Sequence, residues 1–161
     1  MYEMKDLKSL LSCNDRFALI TGATGNLGRV ISKTLAEVGF NLILNDIELN
    51  KLIELKNELN REYNVKIFNF DCDLEKEEER EELIKKIKKD FSQINCLINN
   101  AAFVGTRDIQ GWNTCFENQS LSSWRRAFEV NLTAPFHLIQ GIIPNMYDSK
   151  NPSIINVGSI Y

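Results

Sequence analysis

Three glycines fall within eight residues in Thr21-Gly22-Ala23-Thr24-Gly25-Asn26-Leu27-Gly28. An apolar run, Phe17-Ala18-Leu19-Ile20, precedes them, and a periodic run, Leu27, Val30, Ile31, Thr34, Leu35 and Val38, follows. The order reads as strand, tight turn, helix. A turn of this kind leaves backbone N–H groups and a helix N-terminus facing outward, a setting suited to an anionic phosphate. An ordinary glycine-rich loop is the alternative. A carboxylate, Asp46, closes the next apolar run, Asn41-Leu42-Ile43-Leu44-Asn45. There it can accept hydrogen bonds from the adenosine ribose hydroxyls and would repel a 2′-phosphate. No lysine or arginine follows until Lys51, so NAD is expected ahead of NADP. Asp46 could instead cap the following helix. Asp73 with Leu74, in Asp71-Cys72-Asp73-Leu74, offers a carboxylate that can meet the exocyclic amine of adenine or cap the acidic helix behind it. Leu97-Ile98-Asn99-Asn100-Ala101-Ala102 puts two small residues where backbone can approach a cofactor closely. Its asparagines can pin a turn through local hydrogen bonds.

These groups need a scaffold, and the hydrophobic pattern supplies one. Short apolar runs bounded by turn residues mark strands at Phe17–Thr21, Asn41–Asn45, Lys66–Phe70, Cys96–Asn99 and Ser153–Val157. Helical patterns lie between them. Gly25–Val38 ends at Gly39, a good C-terminal stop. Glu48–Tyr63 places Leu49, Leu52, Ile53, Leu59 and Tyr63 near one face. Glu75–Phe91 runs from acids to lysines, in the sense that complements a helix dipole, with Leu83, Ile84, Ile87 and Phe91 as its apolar stripe. A last helix is expected over about residues 122–145, with Trp124, Phe128, Leu132, Phe136, Ile139 and Ile143 at helical spacing. Alternating strands and helices with right-handed crossovers predict an α/β fold, a Rossmann-type doubly wound parallel sheet in the order 3-2-1-4-5. In such a sheet the nucleotide sits at the C-terminal strand ends. The irregular stretch from Ala102 to Ser120 follows one of these ends and is a candidate for substrate contacts. Its polar and aromatic groups (Arg107, Asp108, Trp112, Asn113, Phe116) would suit a hydroxylated substrate such as a sugar derivative, and a loop with a packed Trp112 would read the same.

Composition narrows the classes further. The chain has 161 residues, 43% hydrophobic and 25% charged, with a formal net charge of −3. One domain with a sizeable core fits that length: residues 1–16 read as an extension and 17–161 as the nucleotide-binding domain. The acidic balance does not favour nucleic acid or an acidic membrane surface. No apolar run approaches the roughly 20 residues that cross a bilayer, and Met1 to Asn14 lacks a signal-peptide core, so a cytoplasmic protein is expected. Cys13, Cys72, Cys96 and Cys115 are too scattered for C-x-x-C chemistry. Cys72 and Cys96 are expected as reduced thiols in the interior. With one histidine, His137, in an apolar helical run, no metal site is expected.

The glycine turn, Asp46, Asp73, Asn99-Asn100-Ala101-Ala102, Val130-Asn131-Leu132 and Ile154-Ile155-Asn156-Val157-Gly158-Ser159 resemble, in order and approximate spacing, the short-chain dehydrogenase/reductase family. The resemblance runs from about Phe17 onward. It implies hydride transfer between a nicotinamide cofactor and a small-molecule alcohol or carbonyl substrate, in a homo-oligomeric parent. It also implies that Thr21, Gly22, Thr24, Gly25, Asn26, Leu27 and Gly28 hold the pyrophosphate, that Asp46 takes the ribose and Asp73 with Leu74 the adenine, and that Asn99 and Ala101 line the cleft. Ser159 would hydrogen-bond the substrate oxygen, and the helix around Asn131 would lend a main-chain carbonyl to a proton relay. Pro135 gives that last role a physical echo. A residue at 135 would ordinarily donate its N–H to the Asn131 carbonyl, and proline has none; a simple helix irregularity is the other reading.

Two departures from the family pattern stand out. The single-domain members space their glycines Gly-x-x-x-Gly-x-Gly; here the spacing is Gly-x-x-Gly-x-x-Gly, with Asn26 at the usual middle position. The family's acid/base motif Tyr-x-x-x-Lys does not occur: Tyr2, Tyr63 and Tyr147 are followed at that offset by Asp6, Ile67 and Asn151, and Tyr161 is the last residue. The sequence therefore reads as the N-terminal portion of a longer enzyme, cut after the fifth strand, with the acid/base pair beyond residue 161. The alternative is a catalytically inactive nucleotide-binding fragment or interaction module.

Overall fold

The computed structural model describes residues 12–104 and 109–159. Arg107, Asp108 and Tyr161 lie outside the described residues, as do the first 11 positions. Five parallel strands form one sheet in the order β3-β2-β1-β4-β5. They are β1 (Phe17–Thr21), β2 (Asn41–Asp46), β3 (Ile67–Asp71), β4 (Cys96–Asn99) and β5 (Ser153–Asn156). The helices are α1 (Asn26–Glu37), α2 (Leu49–Glu62), α3 (Glu77–Asp90), α4 (Leu121–Phe128) and α5 (Ala134–Ile142). The order is the one the sequence predicts, and β1 and β4 match their expected bounds residue for residue.

Alternation along the strands divides the core in two. Leu19, Ile43 and Leu97 face one side, packing with Leu83, Ile84 and Ile87 of α3 and Ala134, Leu138 and Ile142 of α5. Ala18, Ile20, Leu42, Leu44 and Ile98 face the other, with Ala36 of α1 and Leu52, Leu55 and Leu59 of α2. Burying each such leucine or isoleucine contributes roughly 1.5–3 kcal/mol. With both faces covered, the continuous apolar runs of β1, β2 and β4 are accounted for.

The helices differ from the expected faces in three places. In α1 the buried residues are Gly28, Ser32 and Ala36, while Leu27 and Val30 are exposed. Small side chains at i, i+4 and i+8 bring this helix close against the sheet, while Ile31, Leu35 and Val38 of the expected face pack along its margin as partly buried groups. In α2 the buried set is Leu52, Leu55 and Leu59; Leu49 and Ile53 are exposed. The long helix expected over 122–145 is broken. A π segment, Glu129–Thr133, separates α4 from α5, and a 3-10 turn, Ile143–Asn145, ends it. The Ala134 N–H reaches back five residues, to the Glu129 carbonyl. Much of the expected stripe faces outward: Trp124, Phe128, Leu132 and Phe136 are 54%, 47%, 61% and 65% exposed, whereas Ile139 packs on the core and Ile143 is half-buried. Ala127, Ala134, Leu138 and Ile142 face inward instead. Gly141 meets Ile84 there, leaving too little room for even a methyl group at 141.

Among the described residues, no helix is long and apolar enough to cross a membrane. Cys72 and Cys96 are buried thiols and Cys115 is exposed. β5 is an edge strand whose side chains are mostly exposed.

Candidate nucleotide-binding site

The glycine turn leaves β1 at the centre of the sheet, where neighbouring connections depart to opposite sides. Gly22 adopts φ +62°, in the left-handed region, and a side chain there would press on the Ala101 backbone at 2.8 Å. Gly28 sits against the carbonyl of Gly22 and the backbone of Ala23, with no space for a Cβ. These two contacts draw the start of α1 down onto the strand end. Gly25, the N-cap, has no side-chain cap, and the first turn carries no acid. The first-turn N–H groups of Asn26, Leu27 and Gly28 therefore keep their attraction for an anion, reinforced by the helix dipole.

Side chains lock the turn from three directions. Asp46 Oδ2 accepts from the Thr24 N–H at 2.9 Å and from the Thr24 hydroxyl at 2.7 Å, while Oδ1 accepts from the Ile47 N–H at 2.8 Å. Asn100 Nδ2 donates to the carbonyls of Thr21 and Gly22, each at 3.0 Å. The Thr21 hydroxyl, fully buried, accepts from the N–H groups of Asn100 and Ala101 at 3.0 Å. Thr21 thus clamps β1 to β4 rather than opening toward the solvent side of the turn. Arg29 Nε donates to the Thr24 carbonyl at 3.1 Å, and its Nη1 pairs with Glu58 at the same distance.

Around this cradle stand the other residues singled out in the sequence. Asp73 Oδ1 accepts from the Glu75 N–H at 3.0 Å, and the Asp73 N–H donates to Glu79 Oε2 at 2.7 Å. Asp73 thus closes the turn ahead of the helix and does not cap it, since the N-cap of α3 is Lys76 and carries no side-chain cap; Asp73 Oδ2 lies 3.8 Å from Lys76 Nζ. The Lys76 side chain, followed by the Asp73 N–H, holds the Glu79 carboxyl below its ordinary value. Asn99 is buried, its Nδ2 donating to Asn156 Oδ1 at 2.8 Å and its Oδ1 without a protein partner. Asn131 lies in the π segment, and its side chain exchanges bonds with the Phe103 backbone: Oδ1 accepts from the N–H at 2.7 Å, and Nδ2 donates to the carbonyl at 3.3 Å. Asn131 is thereby fastened to the exit of β4. Ser159 follows β5, the strand beside β4, and is exposed. In the 109–120 loop, Trp112 packs edge-on to Phe103 with ring centroids 5.0 Å apart, as the packed reading of that tryptophan requires.

The sequence offers the asparagine pair as residues that pin a turn, and Asn100 does so. Arg29 and Arg80 are not singled out by it; for Arg80 the signal was position, three, four and seven residues ahead of the buried Leu83, Ile84 and Ile87.

A tight glycine cradle, an uncapped helix start and a carboxylate at the end of β2 fit an adenine dinucleotide. The family model for short chain dehydrogenases matches residues 16–161. A 3-oxoacyl-acyl-carrier-protein reductase from Staphylococcus epidermidis is 30% identical over 146 residues, which are 91% of this chain and 57% of that protein. A metagenomic short-chain oxidoreductase solved in complex with NADP superposes with TM-score 0.81 at 22% identity, covering 92% of this chain and 64% of that one. The bulky-bulky ketone specific alcohol dehydrogenase from Comamonas testosteroni superposes with TM-score 0.79 at 28% identity, covering 91% and 56%. The chain spans about three-fifths of the length of the curated relatives it matches.

Proposed function

The chain belongs to the short-chain dehydrogenase family, and from that premise we propose that it binds NAD and serves hydride transfer between nicotinamide and an alcohol or carbonyl substrate. One observation carries the reading: the glycine turn is held open toward an anion while Asp46, Asn100 and Arg29 fix every side of it. When bound, the nicotinamide ring supplies or accepts the hydride; the residues here bind and orient. The N–H groups at the start of α1 take the pyrophosphate. Asp46 accepts three bonds, two from Thr24 at Oδ2 and one from Ile47 at Oδ1, and of a carboxylate's roughly four lone-pair sites one at Oδ1 is left for a ribose hydroxyl.

The preference for NAD rests on charge. A 2′-phosphate beside Asp46 meets a fixed carboxylate, and the nearby cations are already engaged: Arg29 with Glu58, and Lys51 with Glu48 at 2.8 Å. The relative solved with NADP shares the fold at 22% identity; the residue that discriminates here is Asp46.

Ser159 is the donor to the substrate oxygen in this reading. The Asn131 carbonyl, deprived by Pro135 of the ordinary α-helical donor, is the acceptor in a proton relay. The general acid/base pair Tyr-x-x-x-Lys does not occur within the 161 residues. Titration with NADH followed by a turnover assay on small ketones separates this reading from that of an inactive nucleotide-binding module. Saturable binding supports the cofactor assignment, binding without turnover favours the module for this chain, and no binding overturns both.

A further inference from the structure

Arg80 is the largest side chain sealed in the interior, 1% exposed. A guanidinium persists there only where its donors are met, and three segments meet them. Nη1 donates to the Leu74 carbonyl at 2.5 Å, Nη2 to Glu129 Oε1 at 2.6 Å, and Nε to His137 Nδ1 at 3.4 Å. Leu74 lies in the turn after β3, Glu129 opens the π segment two residues before Asn131, and His137 is on α5. A second pair runs alongside: Arg126 Nε donates to Glu75 Oε1 at 2.7 Å, and the Arg126 guanidinium lies 5.0 Å from the centre of the Phe103 ring. Phe103 is the residue whose backbone holds the Asn131 side chain. The turn at 73–75 is therefore tied to the π segment directly through Arg80 and Glu129, and a second time indirectly, through Arg126 of α4 and Phe103.

We propose that Arg80 is a positioning residue whose guanidinium fixes the Asp73–Leu74 turn, the adenine side of the site, against the π segment that carries Asn131. This rests on the nucleotide reading above. The rest of the α3 stripe, Leu83, Ile84 and Ile87, is apolar, so packing alone asks for nothing charged at 80. The pair is sealed only at its arginine end, Glu129 being 34% exposed, so the ion pair by itself adds little stability. Only a planar fork reaches the carbonyl of one segment and the carboxylate of another at once; a lysine ammonium offers its donors from a single point.

The test uses the whole 161-residue chain, its Arg80→Met/Glu129→Gln double variant and Arg80→Lys, with ligand-free melting temperature and affinities for NADH and AMP as readouts. The double variant is expected to melt somewhat below the parent, because the Leu74 carbonyl loses its donor, and to bind AMP and NADH about tenfold more weakly, by the same factor, at a temperature where both are folded. Arg80→Lys falls between. A double variant that is folded and binds AMP as tightly as the parent overturns the proposal. Should the double variant not fold, Arg80→Lys decides: unchanged AMP affinity overturns it, and weaker AMP at an unchanged melting temperature supports it. A parent that binds neither NADH nor AMP removes the nucleotide reading and this inference together; a parent that binds both, with variants that match it, removes this inference alone.

Discussion

Gly28 shows how little latitude the site has at the scale of one residue. A Cβ there has nowhere to go, because the atoms it meets are backbone of the same turn. Gly28→Ala should destabilise the fold by about 1–3 kcal/mol, the usual range for forcing atoms into a packed site, and should remove NADH binding; urea unfolding and nucleotide titration read the two effects separately. The thiols make a second residue-level prediction. Burial pushes Cys72 up to about 12 and raises Cys96, against which a hydrogen bond from Ser153 works weakly. Because the thiolate is the reactive form, a maleimide at pH 8 should label exposed Cys115 first and reach Cys72 and Cys96 only on unfolding; mass mapping of the labelled peptides checks this. Asp46 was legible in the sequence as the acid after the second strand. Its grip on Thr24 was not, since two residues 22 positions apart meet only through the fold.

At the scale of elements, the strands were readable and the helix faces less so. A buried parallel strand is apolar on both sides, so its bounds coincide with its composition. A helix face depends on what it packs against. The close approach of α1 selects Gly28, Ser32 and Ala36, with Ile31 and Leu35 beside them, so apolarity gave only part of its orientation. Along the broken helix the face is rotated: Trp124, Phe128, Leu132 and Phe136 lie outward while Leu138 and Ile142 face in. A prediction follows from that rotation: Leu138→Ala should cost about 2–5 kcal/mol as a core truncation, whereas Leu132→Ala should change stability by no more than about 0.5 kcal/mol, both measured by denaturant melts. The turn before α3 adds a pH dependence. Glu79, held below the ordinary glutamate value of 4.5 mainly by Lys76 and then by the Asp73 N–H, binds its proton less readily folded than unfolded. Its contribution is therefore complete above pH 4.5 and is lost as the pH falls through the lower, folded value. The stability difference between the parent and Glu79→Gln should shrink over that acid range; a difference that stays constant would contradict the assignment.

For the whole molecule, the sheet order followed from alternating strand and helix patterns, because crossover handedness leaves few topologies. The Arg80 junction was only half visible. Its place on the buried stripe of α3 could be read from periodicity, but its partners, Leu74, Glu129 and His137, come together only once α3 and α5 share a face of the sheet. The central claim is that this architecture presents the glycine turn and Asp46 to NAD. Titration of the 161-residue chain with NADH and NADPH, followed by nicotinamide fluorescence, tests it most directly. Saturable NADH binding that Gly22→Val abolishes is expected, with NADPH about tenfold weaker or more, since its 2′-phosphate faces the Asp46 carboxylate. Absence of saturable binding by either nucleotide, or tighter binding of NADPH than of NADH, would contradict that claim.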